Sequence, residues 1–537
     1  MQTGLQGGIR FLDRLFAKKF VLPSLLIVFL VVGTIASLQP GLTVDDATEQ
    51  FTFRKITGAT KSLFLGRVDD FRQLQSYGDR YYGIGFDLFS CPFQLAFQPY
   101  FTRTLGVDRE TALLLGMHPA VFFLFAISVI AFYGCARFFI RERSIAVAAT
   151  AAYAAYPYVF GHAMINVRDS PFMSLYLICT YLSLRLVRRH RDGNTASYRA
   201  DFVGLACATA ALASIRLPGL MILVQYAFTF ALADYSRSDD SIPKILQWRN
   251  VAVFIAVLIP LVVLAFPALW INPFGEVFAG LKFVGWYYQP GCTLTWGECM
   301  PAYATPSYLL GWFVVKAPLM IFAGIAFVPL ALKRLWRDRF QRIAYLTFVF
   351  GSVYVIVVIV ALRAHLYDET RQLLFIYPLL FVIAFVALYF LSRRVAFIAM
   401  ILSLALFLWD QFQLHPYQYV YFNEFARFLD VDRLFETDYW GTSSREHAKA
   451  LSKSLPADAC LYADPFFLYR PFLSSQACVE PLENITEIPT EGLTVAITCS
   501  PNRIKVPTSC QRLSAITRTL PLSNRRMDLS VAYRCSK

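Results

Sequence analysis

The chain is poor in charged residues. Only 16% of its 537 residues are Asp, Glu, Lys or Arg, and 57% are hydrophobic. A soluble globular protein carries about 25% charged residues, so this composition excludes an ordinary soluble domain. Because the apolar residues come in runs long enough to cross a bilayer, the sequence predicts an α-helical polytopic membrane protein.

The motifs of soluble nucleotide and hydrolase chemistry are also missing. There is no P-loop, no G-x-G-x-x-G after a strand, no H-E-x-x-H and no G-x-S-x-G. The absence of any C-x-x-C pair argues against a zinc site. The formal charge of +14 could indicate nucleic acid, but the basic residues lie in short loops between apolar segments, where they meet anionic lipid. We therefore expect membrane lipids, and no nucleic acid, as partners.

What is present is a series of about eleven apolar segments of roughly 17–25 residues, the length that a transmembrane helix needs. The segments begin near Val21, Thr111, Ser144, Ser170, Asp201, Leu217, Val251, Ser307, Ala344, Gln372 and Val395. The first segment follows a basic N-terminus and lacks a small-x-small cleavage site, so we interpret it as a retained helix and not as a signal peptide.

The orientation follows from the basic residues. With a cytoplasmic N-terminus, the Arg and Lys clusters fall on the cytoplasmic side, in loops around residues 137–143, 185–191, 237–244, 333–339 and 393–394. Positively charged loops remain inside. The pattern predicts a multi-pass protein of the cell inner (plasma) membrane, with its C-terminal part extracytoplasmic.

A long outer loop, residues 39–110, follows the first span. Its apolar stretch from Gly83 to Phe101 contains Asp87, Pro92 and Pro99. A span here would reverse the side of every later loop, so we predict that the stretch is re-entrant or interfacial.

The sequence divides near residue 414. Residues 1–413 form the predicted transmembrane domain. Residues 414–537 form a predicted small extracytoplasmic α/β domain, because ACLYA, LTVAITC and SVAYRC have the pattern of short strands. The stretch HPYQYVYFNEFARF, from His415, is interpreted as an amphipathic helix on the membrane surface.

Cysteine usage agrees with an oxidising outer compartment. Cys292 and Cys299 fall in one outer loop, and we predict that they are bonded. The tail carries five more, which are Cys460, Cys478, Cys499, Cys510 and Cys535. One of the five must stay unpaired, and the sequence leaves the connectivity open.

The acidic pair Asp45-Asp46 comes just after the first apolar span. A carboxylate at a membrane surface, partly removed from water, can act as a general base. Acidic residues in the first turn of a helix also cap it. Both interpretations are open for both residues.

Other polar residues of the outer side are concentrated in four places. They are His162, Asn166, Arg168 and Asp169; Arg216; Lys316; and His365, Asp368 and Arg371. Charged groups between apolar spans are costly unless they pair or line a cavity. Recognition of a phosphate suits them, because Arg offers a bidentate fork and Lys a point charge. The alternatives are an Arg168–Asp169 pair, snorkelling of Arg216 to the headgroups and a solvated loop around His365.

The ordered set of motifs resembles the GT-C superclass of membrane glycosyltransferases. The set comprises the acidic pair, INVRDSPF, VVKAPL, HLYDETRQLLFIYP, HPYQYVYFNE and DYWGTSSRE. The most similar branch is glycosyltransferase family 39, with the protein O-mannosyltransferases and the lipid A aminoarabinose transferases. The resemblance implies inverting transfer of a hexosyl or pentosyl group from a polyprenyl-phosphate carrier to a hydroxyl group of a lipid, glycan or protein.

The resemblance also implies roles for single residues. Asp45 matches the acid that acts as base, and Asp169 matches an acid of the second outer loop. Asp46 stands where many relatives have Glu, so which of the two acids is the base stays open. Donor phosphate would be bound by Arg168, Asp169, Arg216, Lys316 and Arg371, and substrate by His162, Asn166, His365 and Asp368. No cofactor is certain, although a divalent metal ion could replace or assist the basic residues.

Two other functions fit a polytopic chain. A transporter or lipid flippase would need polar groups along a path through the membrane midplane, with broken helices there. A non-catalytic scaffold or sensor would present the tail domain. We expect the glycosyltransferase, because the charged motifs crowd one face and the helix centres are largely apolar.

Overall fold

Within the residues that it describes, the computed structural model is built mainly from α-helices. The described residues are 2–192, 198–236, 244–287, 292–455, 460–473, 477–482, 493–498 and 510–535. In this part of the chain, seven helices are long and apolar enough to span a membrane. They are Arg109–Arg137, Asp169–Arg191, Leu217–Tyr235, Trp248–Ala265, Arg339–Ala361, Arg371–Leu391 and Arg393–Leu414.

Two bent helix pairs raise the number of candidate spans to nine. Gly7–Ala17 and Val21–Ser37 meet at 82°, and Thr305–Lys316 and Leu319–Ala326 meet at 105°. Shorter helices include Val68–Arg72, Pro273–Gly285, Val328–Leu335, Val431–Leu434, Ser444–Leu451 and Phe466–Tyr469. The polytopic helical class predicted from the sequence is therefore confirmed.

Two of the eleven predicted spans are formed by shorter helices. The segment near Ser144 is divided into Arg143–Ala155 and Pro157–Ile165, and the segment near Asp201 forms Tyr198–Ala213. Pro157 accounts for the division, because proline removes a backbone donor and pushes the preceding residue out of the helical region. The count of eleven stays a prediction.

The long loop after the first span is largely helical. It contains Val44–Phe64 and Gly85–Leu105, which are 21 residues each. Phe93 of the second helix packs on Phe123, with ring centroids 5.3 Å apart. The apolar stretch predicted to be re-entrant or interfacial is thus a continuous helix beside a spanning helix, and its depth in the bilayer stays a prediction.

The segment after the last spanning helix differs from the predicted surface helix. Only two short 3₁₀ turns form there, Gln418–Val420 and Ala426–Phe428, and Tyr417 and Tyr421 are buried in the core of the helical bundle. Gly161 admits this segment, because a Cβ there would collide with the backbone of residue 419. The prediction of an amphipathic surface helix is wrong, since the aromatic rings are packed on several sides rather than on one.

The C-terminal tail ends in a five-stranded sheet. Earlier in the chain, outside the tail, a two-stranded hairpin is formed by β1 Cys292–Thr295 and β2 Glu298–Pro301. The sheet strands are β3 Cys460–Asp464, β4 Cys478–Pro481, β5 Leu493–Ile497, β6 Cys510–Thr519 and β7 Arg526–Cys535, in the order β4-β3-β5-β7-β6. β3 runs parallel to β4 and β5, whereas β7 is antiparallel to β5 and β6. The α/β character and the three strands predicted from the sequence are confirmed.

Six of the described cysteines form three disulfides. Cys292 is bonded to Cys299 across the hairpin, as predicted. In the tail, Cys460 is bonded to Cys478 and Cys510 to Cys535. The fifth tail cysteine, Cys499, lies outside the described residues. The division near residue 414 and the orientation in the membrane stay predictions.

Candidate active site

A polar cavity lies where the helix Val44–Phe64 begins and the buried tail segment packs against it. Its volume is about 260 Å³, close to the lower end of the roughly 300–1,000 Å³ typical of small-molecule sites. Its basic and acidic lining residues are Arg168, Arg216, Arg371, Asp45, Glu49, Asp79 and Asp368. Its aromatic lining residues are Tyr82, Tyr287, Tyr367, Tyr439 and Trp440. Three cations and four carboxylates thus face one small space beside aromatic rings.

The two acids of the acidic pair have different surroundings. Thr43 is the N-cap of the helix: its Oγ1 accepts from the Asp46 N–H at 3.1 Å, and its own N–H donates to Asp46 Oδ2 at 2.7 Å. Asp46 is fully buried, with His118 Nε2 3.3 Å away. This capping box satisfies backbone donors that the helix leaves free. The structure therefore assigns the cap to Asp46.

Asp45 faces the cavity. It shares one face of the helix with Thr48, Glu49 and Thr52, because positions three, four and seven apart lie on the same side. Its side chain is 37% exposed, and its Oδ2 accepts from Arg371 Nη1 at 3.0 Å. Of the two candidate bases, only Asp45 is among the described lining residues.

Arg371 is the centre of the charged cluster. Besides Asp45, its Nη1 lies 3.3 Å from Asp169 Oδ2, and its Nη2 lies 2.9 Å from Asp368 Oδ2. The arginine side chain is only 5% exposed. Burial raises the pKa of Asp368 to about 6, while Arg371 opposes this shift. Three loops distant in the sequence are thereby joined by one guanidinium group.

The other two arginines are also paired with carboxylates. Arg216 Nη1 lies 2.6 Å from Asp169 Oδ1, and Arg168 is paired with Glu49. The Arg168 guanidinium also lies 3.8 Å from the centre of the Tyr82 ring.

Two buried N–H groups of the cluster lack a partner. Among the described residues, Nε of Arg216 and Nε of Arg371 have no hydrogen-bond acceptor. A buried donor without an acceptor is costly.

Asn166 organises the loop beneath the cluster. Its Oδ1 accepts from the backbone N–H groups of Arg168 at 3.1 Å and Asp169 at 2.7 Å. Its Nδ2 lies 3.1 Å from Asp169 Oδ2 and 3.1 Å from His162 Nδ1. Asn166 and His162 are buried behind the cavity lining, where they orient Asp169.

Besides His162 and Asn166, two more of the predicted site residues lie outside the described cavity lining. Lys316 is fully buried and lies 2.7 Å from Glu369 Oε1, with the ring of Phe422 4.2 Å from its ammonium group. His365 Nδ1 lies 2.9 Å from the carbonyl oxygen of Tyr287. The described lining of the cavity includes neither residue. Sequence position alone could not separate Lys316 from the arginines, because both types lie at span ends.

Several lining residues were not singled out from the sequence. Glu49 had a signal, since it lies four residues after Asp45 on the same helix face. Trp440 belongs to the DYWG motif, whose role the sequence left unassigned. Asp79 lies within the long loop, and burial raises its pKa above the ordinary value. Nothing in its local sequence distinguishes it from the exposed Asp69.

The part predicted for a divalent metal ion stays a prediction. In the described parts of the chain, no three His, Cys, Asp or Glu side chains are arranged to hold a metal ion. Three of the four cavity carboxylates, Asp45, Glu49 and Asp368, are paired with arginines.

The comparisons with known proteins include a solved structure that this chain matches over nearly its whole length. No protein-family model matches the chain, and no curated protein matches it. The chain is similar to the crystal structure of ArnT from Cupriavidus metallidurans bound to undecaprenyl phosphate. The match covers 96% of this chain and 98% of that one, at 14% identity and a TM-score of 0.43.

Proposed function

We propose that this protein is an inverting glycosyltransferase. It moves a sugar from a polyprenyl-phosphate carrier to a hydroxyl acceptor at the extracytoplasmic face of the membrane. The observation that carries the proposal is the cavity that Asp45 lines together with three arginines. A base for the acceptor and cations for a departing phosphate are the two groups that such a transfer needs.

Phosphate binding is supported by the three arginines that line the cavity, Arg168, Arg216 and Arg371. Each guanidinium group carries five N–H donors, from which phosphate oxygens can accept. Arginine binds phosphate with two parallel N–H bonds. The carboxylates that now pair with these arginines hold them in place, and a phosphate would exchange with some of those contacts.

The chemistry is a single displacement at the anomeric carbon. The acceptor oxygen attacks C1 from the face opposite the phosphate, and Asp45 takes the hydroxyl proton. The bond between C1 and the phosphate oxygen breaks, and polyprenyl phosphate leaves with the electron pair. Arg371, Arg216 and Arg168 stabilise the charge that develops on it. Configuration at C1 is inverted because one attack from the opposite face completes the transfer.

The contact between Asp45 and Arg371 supports the role of each. The guanidinium group orients the carboxylate toward the cavity. A donor phosphate that binds Arg371 would take over part of this contact and leave the carboxylate free for the acceptor hydroxyl group.

The aromatic residues that line the cavity support the proposal that a sugar ring binds there. Tyr82, Tyr439 and Trp440 present rings beside the charged cluster. The C–H face of a hexose or pentose packs on such rings, while its hydroxyl groups meet polar neighbours such as Thr48 and Asp79. The seven to nine apolar helices provide the lipid-facing surface along which a polyprenyl chain can lie.

The decisive experiment is a transfer assay with purified protein. The protein in lipid nanodiscs would be given polyprenyl-phosphate sugars with a radiolabelled sugar, together with cell-envelope lipids and glycans as acceptors. We expect labelled product with inverted anomeric configuration and stoichiometric polyprenyl phosphate. Movement of intact donor across proteoliposomes without release of polyprenyl phosphate would refute the transferase and support the flippase.

A further inference from the structure

The tail loop Asp438–Arg445 is hydrogen-bonded to the part of the chain just before Asp45. The carbonyl oxygen of Thr442 accepts from the Gly41 N–H at 3.0 Å, and that of Trp440 accepts from the Val44 N–H at 3.3 Å. These bonds join parts of the chain nearly 400 residues apart, and the second lies one residue before the proposed base.

Arg445 adds a side-chain contact to the same stretch. Its Nη1 donates to the carbonyl oxygens of Leu38 at 2.7 Å and Pro40 at 3.1 Å. Gly41 is required between them, since a Cβ there would lie 2.6 Å from the Thr442 oxygen and 3.0 Å from Arg445 Cβ. The end of the first span and the tail loop are therefore in direct backbone contact.

Asp438 shapes the loop that makes these contacts. Its Oδ1 accepts from the Thr442 N–H at 3.0 Å, its Oδ2 accepts from the Ser443 N–H at 3.1 Å, and the Tyr419 hydroxyl group donates to Oδ1 as well. Asp438 is fully buried. A carboxylate can accept all of these bonds, whereas an amide must turn a donor toward one of the N–H groups.

The same loop places rings in the cavity. Trp440 lines it, its ring lies 5.2 Å from the Arg371 guanidinium, and the His162 ring meets it edge-on at 5.3 Å. The loop thus contacts the segment that leads to Asp45, the arginine paired with Asp45 and the loop that carries Asp169.

We propose that Asp438–Arg445 is a positioning element of the active site, so that this part of the tail belongs to the catalytic unit. Asp438 and Arg445 act through the backbone of residues 38–44 and through Trp440, and they hold Asp45 at the angle that proton transfer needs. The assignment of Asp45 as base rests on the proposed function, whereas the contacts do not. A misplacement of about 1 Å at a reacting group can cost roughly 10²-fold in rate.

The test uses the full-length protein in nanodiscs with three variants. Asp438→Asn and Arg445→Gln weaken the loop in two independent ways. His447→Gln is the matched control: His447 is equally buried in the tail and bonded to Tyr469 and Ser514 at 3.1 and 3.0 Å. Hydrogen exchange of a peptide covering residues 38–48 and steady-state kinetics are measured for each variant.

We expect hydrogen exchange of this peptide to be at least tenfold faster in Asp438→Asn and Arg445→Gln than in the wild type. In His447→Gln we expect the exchange rate to be unchanged. We also expect kcat to fall about 10- to 100-fold with donor KM within about threefold, because the arginines remain in place. If Asp438→Asn does not fold, Arg445→Gln alone decides.

Unchanged exchange in both variants, or faster exchange with the kcat of the control, would overturn the proposal. A wild-type protein without transfer activity, together with faster exchange in the two variants, would instead refute the proposed function and leave the contact role of the loop supported.

Discussion

Charged side chains are buried in two kinds of surroundings in this protein, and the difference separates a candidate site from structural pairs. At the cavity, Arg371 contacts three carboxylates and lines a space of about 260 Å³. Elsewhere, Lys316 meets Glu369 and Arg427 meets Asp410 one to one, at 2.7 and 3.0 Å, with side chains no more than 1% exposed. These closed pairs are enclosed by protein, whereas the shared cluster borders a cavity that a ligand can enter.

The largest effect is expected at Asp45. Asp45→Asn preserves the shape of the side chain but cannot take a proton, so kcat should fall roughly 10²–10⁴-fold. Asp46→Asn is the matched control, because Asp46 lies in the capping box; we expect some loss of stability and a near-normal kcat. Assays at matched thermal stability would measure both. Normal kcat in both variants would remove this helix from the chemistry.

A large effect on stability is expected at the closed pair. Lys316→Met leaves Glu369 buried without its partner, and losing one member of a buried pair costs about 3–5 kcal/mol. The double variant Lys316→Met/Glu369→Leu should recover most of that loss, because an apolar pair of similar size needs no partner. Denaturation of the three proteins measures this.

The same double variant tests the phosphate role predicted for Lys316. Its donor KM should equal that of the wild type. A tenfold higher donor KM with restored stability would show that Lys316 contributes to phosphate binding. The closed pair would then not differ in function from the cavity cluster.

An intermediate effect is expected at Arg216. A hydrogen bond to a charged group contributes about 1.5–3 kcal/mol, so Arg216→Gln should raise the donor KM by about 10- to 100-fold. Arg512→Gln, at a half-exposed arginine of the sheet, should leave it unchanged. Competitive inhibition by polyprenyl phosphate should likewise weaken in Arg216→Gln and stay unchanged in Arg512→Gln. Equal donor KM in both variants would contradict phosphate binding by the cluster.

The smallest effect is expected from pH. The pKa of Asp368 is raised from 3.8 to about 6 by burial. The folded state therefore holds this proton more tightly, and its contribution to stability is full below about pH 4 and is lost as pH rises through about 6. Tm should fall more across this window in the wild type than in Asp368→Asn. Parallel curves for the two proteins would show that the carboxyl is not perturbed.

Local patterns predicted much of the architecture. The polytopic helical class, the disulfide of Cys292 and Cys299 and three of the tail strands follow from hydropathy, compartment and alternation, and the structure has them. The aromatic segment after His415 could not be predicted in the same way. Its tyrosines are compatible with a surface helix, and only the packing of Gly161 against residue 419 shows that the segment is buried.

The candidate site was predictable in its residue types and not in its geometry. Asp45, Arg168, Arg216, Asp368 and Arg371 were expected and do line one cavity. His162, Asn166, His365 and Lys316 were expected on the same grounds and lie elsewhere. A polar residue between apolar spans is expected either to line a cavity or to pair with another side chain. Its position in the sequence does not show which of the two applies.

The sequence by itself determined the membrane character, the helical class and the short list of charged groups, because each depends on composition and spacing along the chain. Only the tertiary structure decided that Asp46 caps a helix while Asp45 faces the cavity, and that the tail loop holds the segment before Asp45. The reason is physical. A capping bond spans three residues, whereas the contact between Gly41 and Thr442 forms only when two distant backbones pack face to face.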